Sequence, residues 1–210
     1  MGIKERKIRE KCRRREEIIS AAEKMFFSKG IDQTTMDDIA EAAELAKGTL
    51  YLYFSNKEDI SYAIAEKSIG IMNHMAEAVP DLKLNPIDKL IALSNVFIDF
   101  ANKYPERFRI LILIKDLDIK NMSLSKEQIH YSIYKNSPVK YVYKFVKEGI
   151  HEQVIRSDIP VEIIANTLWS QMFGVVQFAF LKSGVYELAG FTTEQLFSNH
   201  LEIVLNGIKA

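Results

Sequence analysis

A single cysteine, Cys12, stands in 210 residues, so the chain has no disulfide framework and no Cys-based zinc site, and a reducing, intracellular (cytoplasmic) setting follows. Histidine is nearly as sparse. His74, His130, His151 and His200 are scattered, with no i, i+4 pair of the kind a helix uses to hold zinc. The sequence contains no glycine-rich phosphate loop and no nucleophile elbow; no catalytic set, metal or cofactor is therefore expected, and the chain does not read as an enzyme. The first residues lack the apolar core of a signal peptide. Net charge is lacking too: 28 Lys and Arg balance 28 Asp and Glu, which taken alone argues against a nucleic-acid binder, since such domains are often strongly basic. Also missing are fixed-period repeats and convincing runs of alternating apolar and polar residues. The chain reads as all-α.

The zero charge conceals a tilt. Residues 1–15 carry Lys4, Arg6, Lys7, Arg9, Lys11, Arg13, Arg14 and Arg15 against Glu5 and Glu10, so this arm is +6 and the remainder −6. Such an arm can track phosphates and raise association rates; the plainer reading is a solvated, disordered tail that aids solubility. Behind it, residues 16–30 repeat Ile18, Ala22 and Phe26 every four positions, with Ala21 and Met25 alongside, an apolar stripe of helical period. Gly30 is a natural left-handed stop.

The most informative stretch is TTMDDIAEAAELAKGTLYLYFSNKED, beginning at Thr34. Thr35 with Asp38 is a capping-box signal, Ile39, Ala40 and Ala43 give that helix its inner face, and Glu44-Leu45 turns into a second helix of about Ala46 to Phe54. Ser55 with Glu58 opens a third. A middle helix this short is stable only when packing holds it, here through Leu45, Leu50 and Phe54, and its other face is left for a partner. Lys47 can reach a phosphate or a guanine edge, Gly48 permits close approach, and Thr49 can meet a base pair, including a thymine methyl. The Tyr51 and Tyr53 phenols can donate to phosphates, and Thr35 and Lys57 begin neighbouring helices in position to clamp a nucleic-acid backbone.

Taken together, Ile18-Ile19, Ala21-Ala22, Met25-Phe26, Gly30, Thr35-Met36, Asp38-Ile39-Ala40, Lys47-Gly48-Thr49-Leu50-Tyr51, Tyr53-Phe54 and Asn56-Lys57-Glu58 resemble the N-terminal domain of TetR-family transcriptional regulators. The resemblance covers roughly residues 10–65. One departure is Glu44, where the family commonly has glycine; a glutamate held there at positive φ costs about 1 to 2 kcal/mol. The resemblance implies a three-helix helix-turn-helix domain over residues 1–60 and a larger helical effector-binding and dimerisation domain over 61–210. It also implies double-stranded DNA with a near-palindromic operator as partner, and repression released by a small apolar effector.

The rest of the chain is read as helices: about Asn56 to Ala78, then a Pro80 to Pro86 linker, Pro86 to about Asn102 behind an Asn85 cap, and Pro105 to Asp116. A segment from Ser123 or Ser125 kinks or restarts at Ser137-Pro138 and reaches about Gln153. A nearly apolar helix begins after Ile159-Pro160 and ends near Ser183, and a last one follows a Thr192 or Thr193 cap. Residues 163–181 are uncharged over a span near membrane length, but Glu162, Asn166, Ser170 and Gln177 make a polar stripe that suits burial between protein surfaces, so no membrane is expected. Val175, Phe178 and Phe180, with Leu201, Val204, Leu205 and Ile208, offer more apolar surface than one chain can cover, which points to a homodimer through the last two helices. Aromatic residues crowd the same half, and Phe97, Phe108, Tyr141, Phe145, Trp169 and Phe173 are the candidate effector site, against the alternative of a plain core. An architectural DNA-binding protein without ligand and an all-helical carrier of hydrophobic ligands are the competing functions.

Overall fold

The computed structural model describes residues 2–113, 125, 127–128 and 136–210. Among these the regular structure is helical: α1 (Ile3–Lys29), α2 (Met36–Ala42), α3 (Lys47–Tyr51), α4 (Lys57–Ala76), α5 (Pro86–Lys103), α6 (Pro105–Leu113), α7 (Val139–His151), α8 (Val161–Leu188) and α9 (Thr193–Ile208). The end of the helix expected to reach Asp116 and the Ser123 start lie outside the described residues; at the alternative start, Ser125, the hydroxyl accepts from the Gln128 N–H at 3.2 Å and the Gln128 side chain accepts from the Ser125 N–H at 2.8 Å.

Two compact units form, Met1–Ser68 with Glu106–Ile129, and Ile69–Pro105 with His130–Ala210. The division falls later than residue 60 because Ile60, Ala63 and Ile64 face the first core. That core joins Ile18, Ile19, Ala22 and Phe26 of α1 to Ile39 and Ala40 of α2, Leu50 of α3, Phe54 and the start of α4, and it also takes Ile110 of α6. Arg107 of α6 clasps Glu23 of α1 with two parallel bonds, at 2.7 and 3.3 Å, largely screened from water. This pairing of planar guanidinium with carboxylate is the strong form of the ion pair.

The basic arm is not a disordered tail, since α1 begins at Ile3 and runs unbroken into the core-facing stripe. Spacing of charge explains it: Arg13 bridges Glu10 and Glu17, and Arg14 also meets Glu17, all at 2.8 to 3.1 Å and at i, i+3 or i, i+4. The Arg15 guanidinium lies 5.1 Å from the Phe54 ring centre, a cation–π contact that ties the arm to the core. Gly30 ends α1 at φ 85° and ψ 154°, a conformation open to glycine although not the left-handed helical one expected of it.

The link from α2 to α3 is a complete C-terminal cap. The N–H of Leu45 donates to the Ala40 carbonyl at 2.9 Å and that of Glu44 to the Glu41 carbonyl at 3.0 Å, the two reversed bonds of a Schellman motif. The motif needs a left-handed residue, and Glu44 supplies it at φ 54°, as the comparison with glycine at this position anticipates. Glu44→Gly is expected to stabilise the protein by about 1 kcal/mol, read as a rise of about 2 to 4 °C in melting temperature, and no rise would mean the turn carries no strain.

The second unit is built on Ala76, Val79, Leu90, Leu93, Val142, Phe145, Val146, Ile155, Ile164, Ala165 and Leu205, drawn from α4, α5, α7, α8, α9 and two connections. Asn85 caps α5 by accepting from the Asp88 N–H at 2.9 Å, as read from sequence, and of the two candidates Thr192 and Thr193 it is Thr192 that caps α9, in a capping box with Gln195. The helix does restart at Pro138, the residue preceding α7. α8 is longer than expected and passes through Gly184 to Leu188; glycine inside a helix costs only about 1 kcal/mol, which packing of a 28-residue helix outweighs. Its Val161–Phe180 stretch is long and apolar enough to cross a membrane by length and composition. In the structure Ile164, Ala165, Met172, Val176 and Ala179 of that stretch are buried within the unit, and the polar stripe is used: the Asn166 side chain donates to the Tyr143 hydroxyl at 2.6 Å. Leu205, expected on the outward face of α9, is instead part of the core.

Candidate functional site

α3 is a single turn and a half with no side-chain cap, so tertiary packing must set its orientation. Leu50 does this: it is fully buried and turns the opposite side of the helix outward. Lys47 and Gly48 are exposed, Thr49 is half-buried, and Tyr51 is 45% exposed. No atom lies within 4 Å of the position a Gly48 side chain would occupy, so nothing in the fold requires glycine there. Tyr53 is different, half-buried and packed against the core.

Thr35 closes the capping box on α2: its hydroxyl oxygen accepts from the Asp38 N–H at 3.1 Å, and the Asp38 carboxylate accepts from the Thr35 N–H and hydroxyl, both at 2.7 Å. Lys29 meets the same carboxylate at 2.8 Å. Hydrogen bonds from Lys29 first, then Thr35, hold the Asp38 carboxyl well below the ordinary carboxylate range, so this part of the cap is present above about pH 4 and is lost as pH falls through its own lowered value. The neighbouring carboxylate, Asp37, pairs with Lys47 at 2.7 Å and raises the pKa of that ammonium. Both partners are more than half exposed, so the pair is weak and a phosphate can compete for Lys47.

Lys57 does not point outward from α4. Its ammonium donates to the Ile31 and Asp32 carbonyls at 2.8 and 3.4 Å, fastening the loop after α1. α4 is capped one residue later than expected: Asn56 accepts from the Asp59 N–H at 2.8 Å, and Asp59 accepts from the Ser55 N–H at 3.3 Å, in place of the Ser55 and Glu58 pair. The structure thus brings Lys47, Gly48, Thr49 and Tyr51 together on α3 with Thr35 exposed at the start of α2, while Lys57 and Tyr53 are engaged with the protein. Sequence reasoning passed over Leu52, which is 76% exposed beside these residues. The signal was available, since Leu52 sits two residues from the buried Leu50 and must face the other way.

In the second unit Phe97 meets Trp169 edge to face at 5.4 Å and Phe173 at 5.8 Å between ring centres. Tyr141 stacks on Phe145 at 6.3 Å, and Lys89, paired with Glu148, lies over the Phe145 ring. The space left among Leu93, Phe97, Leu168, Trp169, Met172 and Leu205 is only about 40 Å³, well short of the roughly 300 to 1,000 Å³ of ligand pockets. Among the described residues, these side chains pack closely on one another at this point. Phe108, placed in the same cluster from sequence, is buried in the first unit instead. A groove of about 650 Å³ runs between α5 and α9, floored by Ile87, Ile91, Ile98, Phe197, Leu201 and Leu205. Leu205 borders both spaces. Among the described residues no group of three or more His, Cys, Asp or Glu is placed to hold a metal.

A capped helix, a four-residue turn and a short outward-facing helix on a small core, followed by a larger helical unit, define a helix-turn-helix regulator of transcription. The family model for bacterial regulatory proteins of the tetR family matches residues 18–64. Across nearly the whole chain it is similar to the transcriptional repressor KstR2 of Mycolicibacterium smegmatis, 25% identical over 200 residues, 93% of this chain and 90% of the relative. A similar match is to the fatty acid metabolism regulator protein of Bacillus subtilis, 25% identical over 194 residues, 91% and 94% of the two chains. The solved structure of the regulator FadR from Bacillus subtilis in complex with stearoyl-CoA shares the fold at a TM-score of 0.65 and 23% identity, covering 92% and 98% of the chains. Residues 18–64 thus match the DNA-binding domain of the tetR family, and the chain is a DNA-binding regulator of transcription.

Proposed function

We propose that the protein is a homodimeric repressor, acting in the cytoplasm and not as an enzyme, that leaves a near-palindromic operator when a long, mostly apolar effector of the acyl-thioester kind binds its second unit. The observation that carries this reading is the double use of α9. One side of it, Phe197, Leu201 and Leu205, floors the groove against α5. The other, Ile203, Val204 and Gly207, borders a depression of about 310 Å³ shared with Ile159, Ile163 and Gln171, where Ile163 and Ile203 are 57% and 72% exposed. Exposed apolar side chains grouped in one place mark an interaction site. A second copy meeting α8 and α9 about a two-fold axis covers it, and sets two reading helices about 34 to 36 Å apart, one turn of the duplex.

An effector entering the groove pushes on Leu205, the residue between it and the Phe97–Trp169 cluster, and shifts the helix on which the protomers meet. Release requires tighter binding to the DNA-incompetent state; a hundredfold difference is about 2.7 kcal/mol, within what burying a few apolar groups provides. The similarity to a fatty acid metabolism regulator over nearly its whole length supports an acyl chain as that group.

Gel shifts with the intergenic DNA upstream of the protein's own coding sequence, with and without stearoyl-CoA, test the reading, alongside Trp169 quenching by the same compound. Sequence-selective binding lost on addition is expected. Sequence-indifferent binding would indicate an architectural protein, and no DNA binding with tight ligand uptake a carrier. Light scattering is expected to show a dimer at micromolar concentration, and Ile203→Glu, a charge placed in the seam, to give monomers of unchanged helicity. A monomeric wild type would overturn the dimer.

A further inference from the structure

We infer that Leu52 reads the operator by taking the C5 methyl group of a thymine, an assignment that rests on α3 being the DNA-reading helix. The direction of the side chain follows from the core. Successive residues of a helix turn by about 100°, and Leu50 is fully buried. Leu52 keeps the helical register, at φ −71° and ψ −16°, with its N–H donating to the Thr49 carbonyl at 3.2 Å. It therefore stands about 200° from Leu50, and Gly48 about 160° away on the other side. Together they make the outermost ridge of the helix, flanked by Thr49 and by Tyr51.

A single exposed leucine on a protein surface is ordinary; this one is set apart by its place. It lies on the face that carries Gly48 and Thr49, it is 76% exposed, and it has no hydrogen-bonding group with which to meet a phosphate or a polar base edge. The edges of the base pairs in the major groove offer donors, acceptors and one apolar group, the thymine methyl. That methyl is the one complement to Leu52 there. Gly48, bare on the same ridge, lets the backbone come close enough for a short branched side chain to reach it.

The test selects binding sites from a randomised duplex pool with the wild type and with Leu52→Ala, then replaces each thymine of the wild-type site singly by uracil, which lacks only the methyl. One thymine in each half-site is expected to matter, its replacement weakening the wild type about fourfold, the factor that one buried methyl is worth. Leu52→Ala should bind the thymine and uracil duplexes equally, and should melt with the wild type because the side chain is exposed. If the wild type selects a sequence yet tolerates uracil at every thymine, or Leu52→Ala keeps the preference, the assignment fails while the DNA-reading role of α3 stands. If the wild type selects no sequence, both fail. If Leu52→Ala changes the mass in solution and not the base preference, the leucine is a protein contact and the assignment is overturned.

Discussion

Gly48→Leu is expected to abolish operator binding, by roughly a hundredfold or more, while leaving the protein as stable as before or slightly more so. The two halves of this expectation come from one observation: the space beside Gly48 is empty in the free protein. A side chain there starts from a Cβ that meets nothing in the fold and improves helix propensity by up to about 1 kcal/mol, but it stands on the outer ridge of α3, where DNA must approach the backbone. Losing that approach removes several contacts at once, each base-pair mismatch alone being worth about 1 to 3 kcal/mol. Thermal melting and binding to the selected operator, measured on one preparation, check it. A variant that melts normally and binds normally would move the reading surface away from α3.

The second large effect reverses a common rule. Alanine usually stabilises a helix relative to glycine, by about 1 kcal/mol, yet Gly149→Ala in α7 should destabilise by about 2 kcal/mol. The chain leaves α7 through Gln153, at φ 59°, and folds back so that the N–H groups of Val154 and Ile155 both donate to the Gly149 carbonyl, at 2.9 and 3.0 Å. Ile155, 1% exposed, then lies over Gly149: an added methyl would stand 2.5 Å from its Cδ1 and 2.7 Å from its Cγ1. Overpacking of a buried site costs about 1 to 3 kcal/mol. With Ile155→Ala in the background the two closest atoms are gone and only the Cβ at 3.3 Å remains, so Gly149→Ala should cost much less, a coupling that a double-mutant cycle in denaturant detects. Additive effects would mean that the two residues do not touch.

What the sequence made legible is what depends on residues three or four apart. Thr35 with Asp38, Asn85 with Asp88 and Thr192 with Gln195 each close a cap in the structure as their spacing implies. The same logic slipped at α4 because Ser55-Glu58 and Asn56-Asp59 offer the same spacing one residue apart, and only the fold chooses between them. The inward direction of Leu50 was readable, and with it the exposure of Lys47 and Gly48. The contacts of Lys57 were not legible because its partners, the Ile31 and Asp32 carbonyls, lie more than twenty residues away. Phe108 shows a related difficulty. An apolar side chain announces that it is buried without saying in which core, and here Arg107 binding Glu23 fixes α6 to the first unit. The tightness of packing between Phe97 and Trp169 is likewise a property of three dimensions that no spacing encodes.

The N-terminal helix has a geometric consequence. Because α1 is continuous from Ile3, its first fifteen residues form a straight rod about 20 Å long in place of a flexible thread. Its positive charges sit at fixed distances from α3 and cannot wrap around a duplex to find phosphates. They act like teeth on a ruler: DNA long enough to lie under a given tooth gains its attraction, and DNA a few base pairs shorter gains none. Affinity measured against duplex length should accordingly climb in steps set by the helical repeat, and the apparent size of the operator should exceed the sequence that α3 reads.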